Sequence, residues 1–138
     1  MFVYGKTAAN AIAVMSCLAA DGTHRAGSGE IAACRGISQA LTAKLLTTLA
    51  SAGLVRGTPG PGGGYTLAKP AENISLMDIV ELFEQTERPS LCPFGPDWCG
   101  EKNEPCPMHN TIQKMIEDNK RFMEETRLSI FIKEPQPA

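Results

Sequence analysis

No apolar run in the 138-residue chain is as long as a membrane span. The longest uncharged stretch, Thr7 to Ala20, is 14 residues, against the ~20 a helix needs to cross a bilayer. No membrane partner is therefore expected. Lys6 ahead of Ala11–Ala20 has the outline of a signal peptide, but with a single charge in front of it the stretch reads first as a helix. Histidine is scarce, with two in all, and His24 falls in a loop. No nucleophile motif is present either, so the convergent acid–base groups of an active site are missing, and neither an enzyme nor a small-molecule substrate is expected. The chain also lacks a large excess of either charge. Its formal net charge of −2 excludes a non-specific polycation.

What is present suits one domain, or one small domain with an appended helix. The chain is 43% hydrophobic and 20% charged, enough to bury a core. Its charge is unevenly placed. Residues 1–70 carry six basic and two acidic groups, whereas residues 71–138 carry seven and thirteen, so a polyanion is drawn to the first half and repelled by the second.

Local signals divide the chain. Residues 6–20 are Ala-rich with Ala8, Ile12, Met15 and Leu18 at helical spacing, and Asp21-Gly22 ends that helix. Ser28 is a candidate N-cap for a second helix through Arg35, closed by Gly36. Ser38 then caps a third, with Leu41, Leu45 and Leu49 facing the core and Gly53 ending it. Two helices joined by a short glycine-containing turn, with small Ala32 allowing close approach, are a helix-turn-helix arrangement. Leu54-Val55-Arg56 and Tyr65-Thr66-Leu67 read as a hairpin around the tip Gly57–Gly64, which is all glycine, proline and threonine. A hairpin in that position is a wing, and a tip with so little bulk can lie on a phosphate backbone. Ser75 with Asp78 three residues on opens a fourth helix with Leu76, Ile79, Val80 and Phe83 on its buried face, fraying by Thr86–Pro89. After a loop, a helix runs from Pro107 to about Phe131. Its narrow stripe of Met108, Ile112, Met115, Ile116, Phe122, Met123 and Ile130 is suited to a partner helix.

The expected fold class is thus mainly α with a small β-hairpin wing, a winged helix-turn-helix plus a long C-terminal dimerisation helix. The expected divisions are a DNA-binding domain over 1–72, a connecting helix over 73–90, a cysteine-rich loop over 91–107, a dimerisation helix over 108–132 and a disordered tail over 133–138.

Five cysteines are an odd number, and three of them crowd into one loop. Cys92, Cys99, Cys106 and His109 read C-x6-C-x6-C-x2-H, and thiolate with imidazole is the ligand set of soft and borderline metals. Cys106 and His109, three apart at a helix start, share a face. Spacing leaves three readings open: an iron–sulfur cluster, a structural Cys3His zinc site, and free thiols acting as a redox switch. With no export signal read, the expected compartment is the cytoplasm, where clustered thiols hold metal more often than they form disulfides. Cys17 and Cys34, on apolar helix faces, read as small core residues.

The order of these features resembles one family, the winged-helix iron–sulfur transcription regulators that include IscR, NsrR and RirA. The resemblance is carried by Gly36-Ile37-Ser38, Gly53-Leu54-Val55, Gly60-Pro61-Gly62-Gly63-Gly64-Tyr65, and Cys92, Cys99 and Cys106-Pro107-Met108-His109. It implies a cytoplasmic bacterial homodimer that binds palindromic double-stranded promoter DNA, with a cluster setting its affinity, [2Fe–2S] ahead of [4Fe–4S]. By resemblance the ligands are Cys92, Cys99 and Cys106 with His109 as the fourth. An acidic ligand from the partner's N-terminus, used by other members, is closed off because no Asp or Glu precedes Asp21. The chain departs from the cluster-biogenesis regulators in three places. Each cysteine interval is one residue longer, Pro59 stands where an arginine commonly precedes the tip, and Ala43 replaces a glutamate of the recognition helix.

On this reading the third helix enters the major groove, with Ser38, Gln39, Thr42 and Lys44 toward the bases and Gln39 as the best reader of adenine. Arg25, Arg35 and Arg56 meet phosphates, and Gly62 and Gly63 of the wing lie against the backbone.

Overall fold

The computed structural model describes residues 4–20, 25–84 and 106–132. Cys92, Cys99, His24 and the expected disordered tail lie outside the described residues. The rest is mainly helical, with one two-stranded antiparallel hairpin.

Helix α1 (Lys6–Ala20) is the centre of the core. Ala8, Ala11, Ile12, Val14, Met15, Leu18 and Ala19 are all buried. Burial on almost every side, rather than along one stripe, marks a helix enclosed by its neighbours. It packs on α2 (Ser28–Arg35), α3 (Gln39–Ser51), the second hairpin strand, α4 (Leu76–Val80) and a 3-10 turn at Leu128–Phe131.

The caps of α2 and α3 set the turn between them. Ser38 caps α3 as expected, its Oγ accepting from the Leu41 N–H at 3.2 Å. Gly36 closes α2 in the left-handed region at φ +66°, which a β-carbon disfavours. The N-cap of α2 is Gly27 and not Ser28; it offers no side chain to the first-turn amides.

The wing consists of β1 (Val55–Thr58) and β2 (Gly64–Leu67), paired Val55 to Leu67 through Thr58 to Gly64. The strands extend into the glycines, leaving a shorter tip over 59–63. Ala26 adds a single bridge to the hairpin. The Tyr65 N–H donates to the Ala26 carbonyl at 2.8 Å, and the Ala26 N–H returns to the Tyr65 carbonyl at 3.2 Å. The approach requires glycine at 64, where φ is +147° and a β-carbon would stand 2.8 Å from the Ala26 oxygen.

Helix α4 carries the expected capping box. The Asp78 N–H donates to Ser75 Oγ at 3.1 Å and the Ser75 N–H to Asp78 Oδ2 at 3.0 Å. It ends at Val80 rather than near Thr86. Leu82 and Phe83 donate to carbonyls three residues back, tightening the last turn. The Glu84 carboxylate then accepts from the Gly5 N–H, tying this end to the start of α1.

The C-terminal helix departs most from expectation. Helix α5 covers His109–Glu125 and stops at Thr126, which is extended. The chain pairs there with the segment ahead of α4. Leu76 donates to Thr126 at 3.0 Å and Leu128 to Ile74 at 2.8 Å. Leu128 is 0% exposed and Met123 1%. One end of the stripe therefore folds onto its own domain. Burying two large apolar side chains, at ~1.5–3 kcal/mol each, outweighs continuing an exposed helix.

A second correction concerns the two cysteines outside the loop. Cys17 is buried as expected, but Cys34 is exposed, and the two are joined by a disulfide between α1 and α2.

Candidate nucleic-acid interface

Helix α3 divides cleanly into two faces. Thr42, Leu45, Leu46 and Leu49 recur at i, i+3, i+4 and i+7 and are buried, whereas Ser38, Gln39, Ala40, Lys44 and Thr47 are exposed. Leu41, expected in the core, is half-buried. Thr42 does not face solvent. It is 0% exposed and its Oγ1 donates to the Ser38 carbonyl at 2.9 Å, so it leaves the set of base readers. The signal was present in the spacing. Thr42 shares the period of Leu45, Leu46 and Leu49, and a buried hydroxyl is satisfied by the carbonyl one turn back. Gln39 leans over α2, with its carboxamide nitrogen 3.6 Å from where a β-carbon on Gly29 would stand.

Arg25, at the approach to the wing bridge, is exposed, as is Arg56 on β1 opposite Thr66. Arg35 is exposed as a residue, yet its Nε donates to Ser16 Oγ at 3.1 Å. Buried Ser16 in turn donates to the Ala13 carbonyl at 2.7 Å. One edge of that guanidinium is therefore held against α1. At the tip, the Gly63 N–H is committed to the Gly60 carbonyl at 2.9 Å, while Gly62 is exposed at φ +74°.

An open groove of about 420 Å³ separates the wing from the start of α2, lined by Gly27 and Ser28 on one side and by Gly57, Thr58, Pro59 and Tyr65 on the other. Sequence reasoning missed it, because it takes a helix start and a hairpin far apart in the chain. First-turn amides without a side-chain cap are donors suited to an anionic oxygen. Gly57 is part of the construction, since a β-carbon there would lie 3.1 Å from the Tyr65 ring.

Of the expected metal ligands, Cys106 and His109 are described. Both are half-buried and one turn apart at the start of α5, the His109 N–H donating to the Cys106 carbonyl at 3.0 Å. A thiol and an imidazole on one turn fit a soft or borderline metal. Among the described residues no three His, Cys, Asp or Glu side chains gather into a metal-holding group. Cys92 and Cys99 lie outside that set.

Along α5 and beyond it, Met108, Met115, Ile116 and Phe122 are 51%, 39%, 43% and 47% exposed, with Ile130 at 69%. Asn119, within the same stripe, buries its Oδ1 with no hydrogen-bond partner among the described residues. No helix among the described residues is long and apolar enough to cross a membrane.

Comparison with known proteins places this geometry. The model of the Rrf2 family, described as an iron-dependent transcriptional regulator, matches residues 4–134. An HTH-type transcriptional regulator of Aquifex aeolicus is 28% identical over 131 residues, 94% of this chain and 91% of that protein. The HTH-type transcriptional regulator IscR of Cereibacter sphaeroides is 35% identical over 82 residues, 59% of this chain and 53% of its own length. Among solved structures, CymR, the global cysteine regulator of Bacillus subtilis, superposes with a TM-score of 0.77 over 96% of this chain and 100% of that one, at 23% identity. That likeness shows a shared fold.

Proposed function

The chain belongs to the Rrf2 family of transcriptional regulators, and on that premise we propose that it is a homodimeric, sequence-specific DNA-binding regulator whose promoter affinity is set by an iron–sulfur cluster. Membership makes it a regulator with a winged-helix DNA-binding fold and not an enzyme. The dimer, the residues that read DNA and the cluster are the proposal.

One observation carries the DNA reading. Helix α3 buries one face in the core and turns Gln39 and Lys44 out on the other, beside a wing whose tip is free of bulky side chains. The N-terminal half of α3 enters the major groove, where the Gln39 carboxamide pairs with an adenine edge. Ser38 flanks it. Lys44, Arg25 and Arg56 neutralise phosphates. The groove between α2 and the wing receives a phosphate on the first-turn amides of α2, with Gly62 close to the backbone. Arg35 takes part through the guanidinium nitrogens not engaged by Ser16.

The α5 stripe supports the dimer. A row of exposed Met, Ile and Phe along one face is an interface to be covered, and a second copy crossing it would bury the row. This sets two α3 helices one turn of duplex apart on a palindrome.

Cys92, Cys99, Cys106 and His109 would hold the cluster. When bound, it supplies one-electron redox chemistry and sensitivity to iron, oxygen or nitric oxide. The chain's own part is to present Cys106 and His109 on the turn that leads into α5, so that a change in ligand occupancy acts on the interface helix. The zinc alternative uses the same four donors and lacks the colour.

The test is selection of duplex sites from a randomised pool by anaerobically purified protein, followed by anisotropy titration across salt. A palindromic site with strongly salt-dependent affinity supports the reading. Binding that is equal for every duplex ends it.

A further inference from the structure

We infer that Cys17 and Cys34 form a reversible thiol–disulfide couple within the DNA-binding half, chemically separate from the cysteines at 92, 99 and 106 and entered from solvent at Cys34. The two sulfurs join α1 to α2 with their Cα atoms 6.6 Å apart, across 17 residues of sequence, a separation within the usual range for a disulfide. Their environments are unequal: Cys17 is 7% exposed on the core face of α1, whereas Cys34 is exposed near the end of α2. A dissolved reactant therefore reaches Cys34 and not Cys17.

The neighbouring positions reinforce the same junction. Ser16 and Arg35, each next to one of the two cysteines, are joined by the 3.1 Å Nε–Oγ hydrogen bond. The bond between the sulfurs thus fixes the end of α2 at Cys34, two residues before the Gly36 turn that aims α3. A transcriptional regulator works where DNA is kept, and there soluble thiols hold most cysteines reduced. Disulfides in such surroundings are chiefly transient and redox-responsive.

The chemistry balances with a low-molecular-weight disulfide as oxidant. The Cys34 thiolate attacks one sulfur of that disulfide, forming a mixed disulfide and releasing one thiolate. The Cys17 thiolate then attacks the Cys34 sulfur, closing the protein disulfide and releasing the second thiolate. Two protein thiols lose two electrons and two protons, and the small disulfide becomes two thiols. Reduction runs the same steps backwards, with attack at Cys34.

The test uses the full chain, equilibrated natively in defined mixtures of reduced and oxidised glutathione, quenched with acid, alkylated in denaturant, and digested with trypsin without reduction. Cleavage after Lys6, Arg25 and Arg35 places Cys17 in peptide 7–25 and Cys34 in peptide 26–35. The expected result is a linked pair of these two peptides in oxidising mixtures, giving way to two alkylated peptides in reducing ones. Both cysteines alkylated in every mixture, a link that survives excess reductant in the native protein, or linkage of either cysteine to the 92–106 loop would each overturn the couple. In Cys17→Ala, one glutathione on peptide 26–35 is expected; in Cys34→Ala, peptide 7–25 carries the alkyl group and no glutathione, and the reverse pattern overturns entry at Cys34. Reduction is expected to lower the Tm of the wild-type chain by roughly 10 °C, as for a staple closing a loop of this size, and to leave Cys34→Ala unchanged. An equal shift in both overturns the staple. None of these outcomes bears on the DNA-binding or cluster reading.

Discussion

At the residue scale, Gln39 and Lys44 on the exposed side of α3 are expected to do different work. Gln39→Ala should cost about 1–3 kcal/mol on the selected site and relax preference at one base pair, with the salt dependence unchanged. Lys44→Ala should weaken binding to all duplexes alike and lower the slope of log K against log salt by about one. Anisotropy titrations at several salt concentrations separate the two. Thr42 supplies the control. Because its hydroxyl is spent on the Ser38 carbonyl inside the core, Thr42→Val should cost about 1 kcal/mol of stability and leave DNA affinity at wild-type strength. A large loss of affinity there would place Thr42 at the bases after all. Threonine on a recognition helix invites a polar role, while its spacing to Leu45, Leu46 and Leu49 assigns it to the core, and the period prevails.

At the element scale, local signals specified the helix-turn-helix and the wing well. Ser38, Gly36 and the Ser75–Asp78 box act within four residues of themselves, so the sequence carries them whole. The end of α5 was not legible in that way. Residues 126–131 continue a helical apolar pattern, and what stops them is backbone pairing with Ile74 and Leu76, some fifty positions earlier. Two variants divide the resulting faces. Leu128→Ala, inward and fully buried, should lose about 2–5 kcal/mol in urea unfolding. Ile116→Glu, outward on α5, should leave secondary structure intact and convert the dimer to monomer in light scattering. A stable dimer in that variant would move the interface off this stripe.

At the scale of the whole molecule, basic groups gather in the half that builds the helix-turn-helix and wing, and acidic groups in the half that builds α5. In the proposed dimer, DNA would therefore be steered toward α3 and the wing and away from α5. The turn from Cys106 to His109 leads into α5, the element that would join the two copies. Cys106→Ala is expected to abolish visible absorbance and to strip both iron and acid-labile sulfide from anaerobically purified protein. Chelation of iron from the wild type should shift promoter affinity at least several-fold. Stoichiometric zinc with no sulfide would instead establish the structural-metal alternative. Preserved absorbance in the Cys106 variant would remove that thiol from the ligand set.

Caps, glycine turns and the charge split are properties of neighbouring residues, and they already specify a helix-turn-helix followed by a hairpin wing, while the cysteine spacing by itself leaves cluster, zinc and free thiols open. Where α5 stops and that Cys17 meets Cys34 depend on contacts between segments apart in the chain. Such contacts form only once the core around α1 has closed, because the free energy that fixes them comes from surfaces that meet in the folded chain.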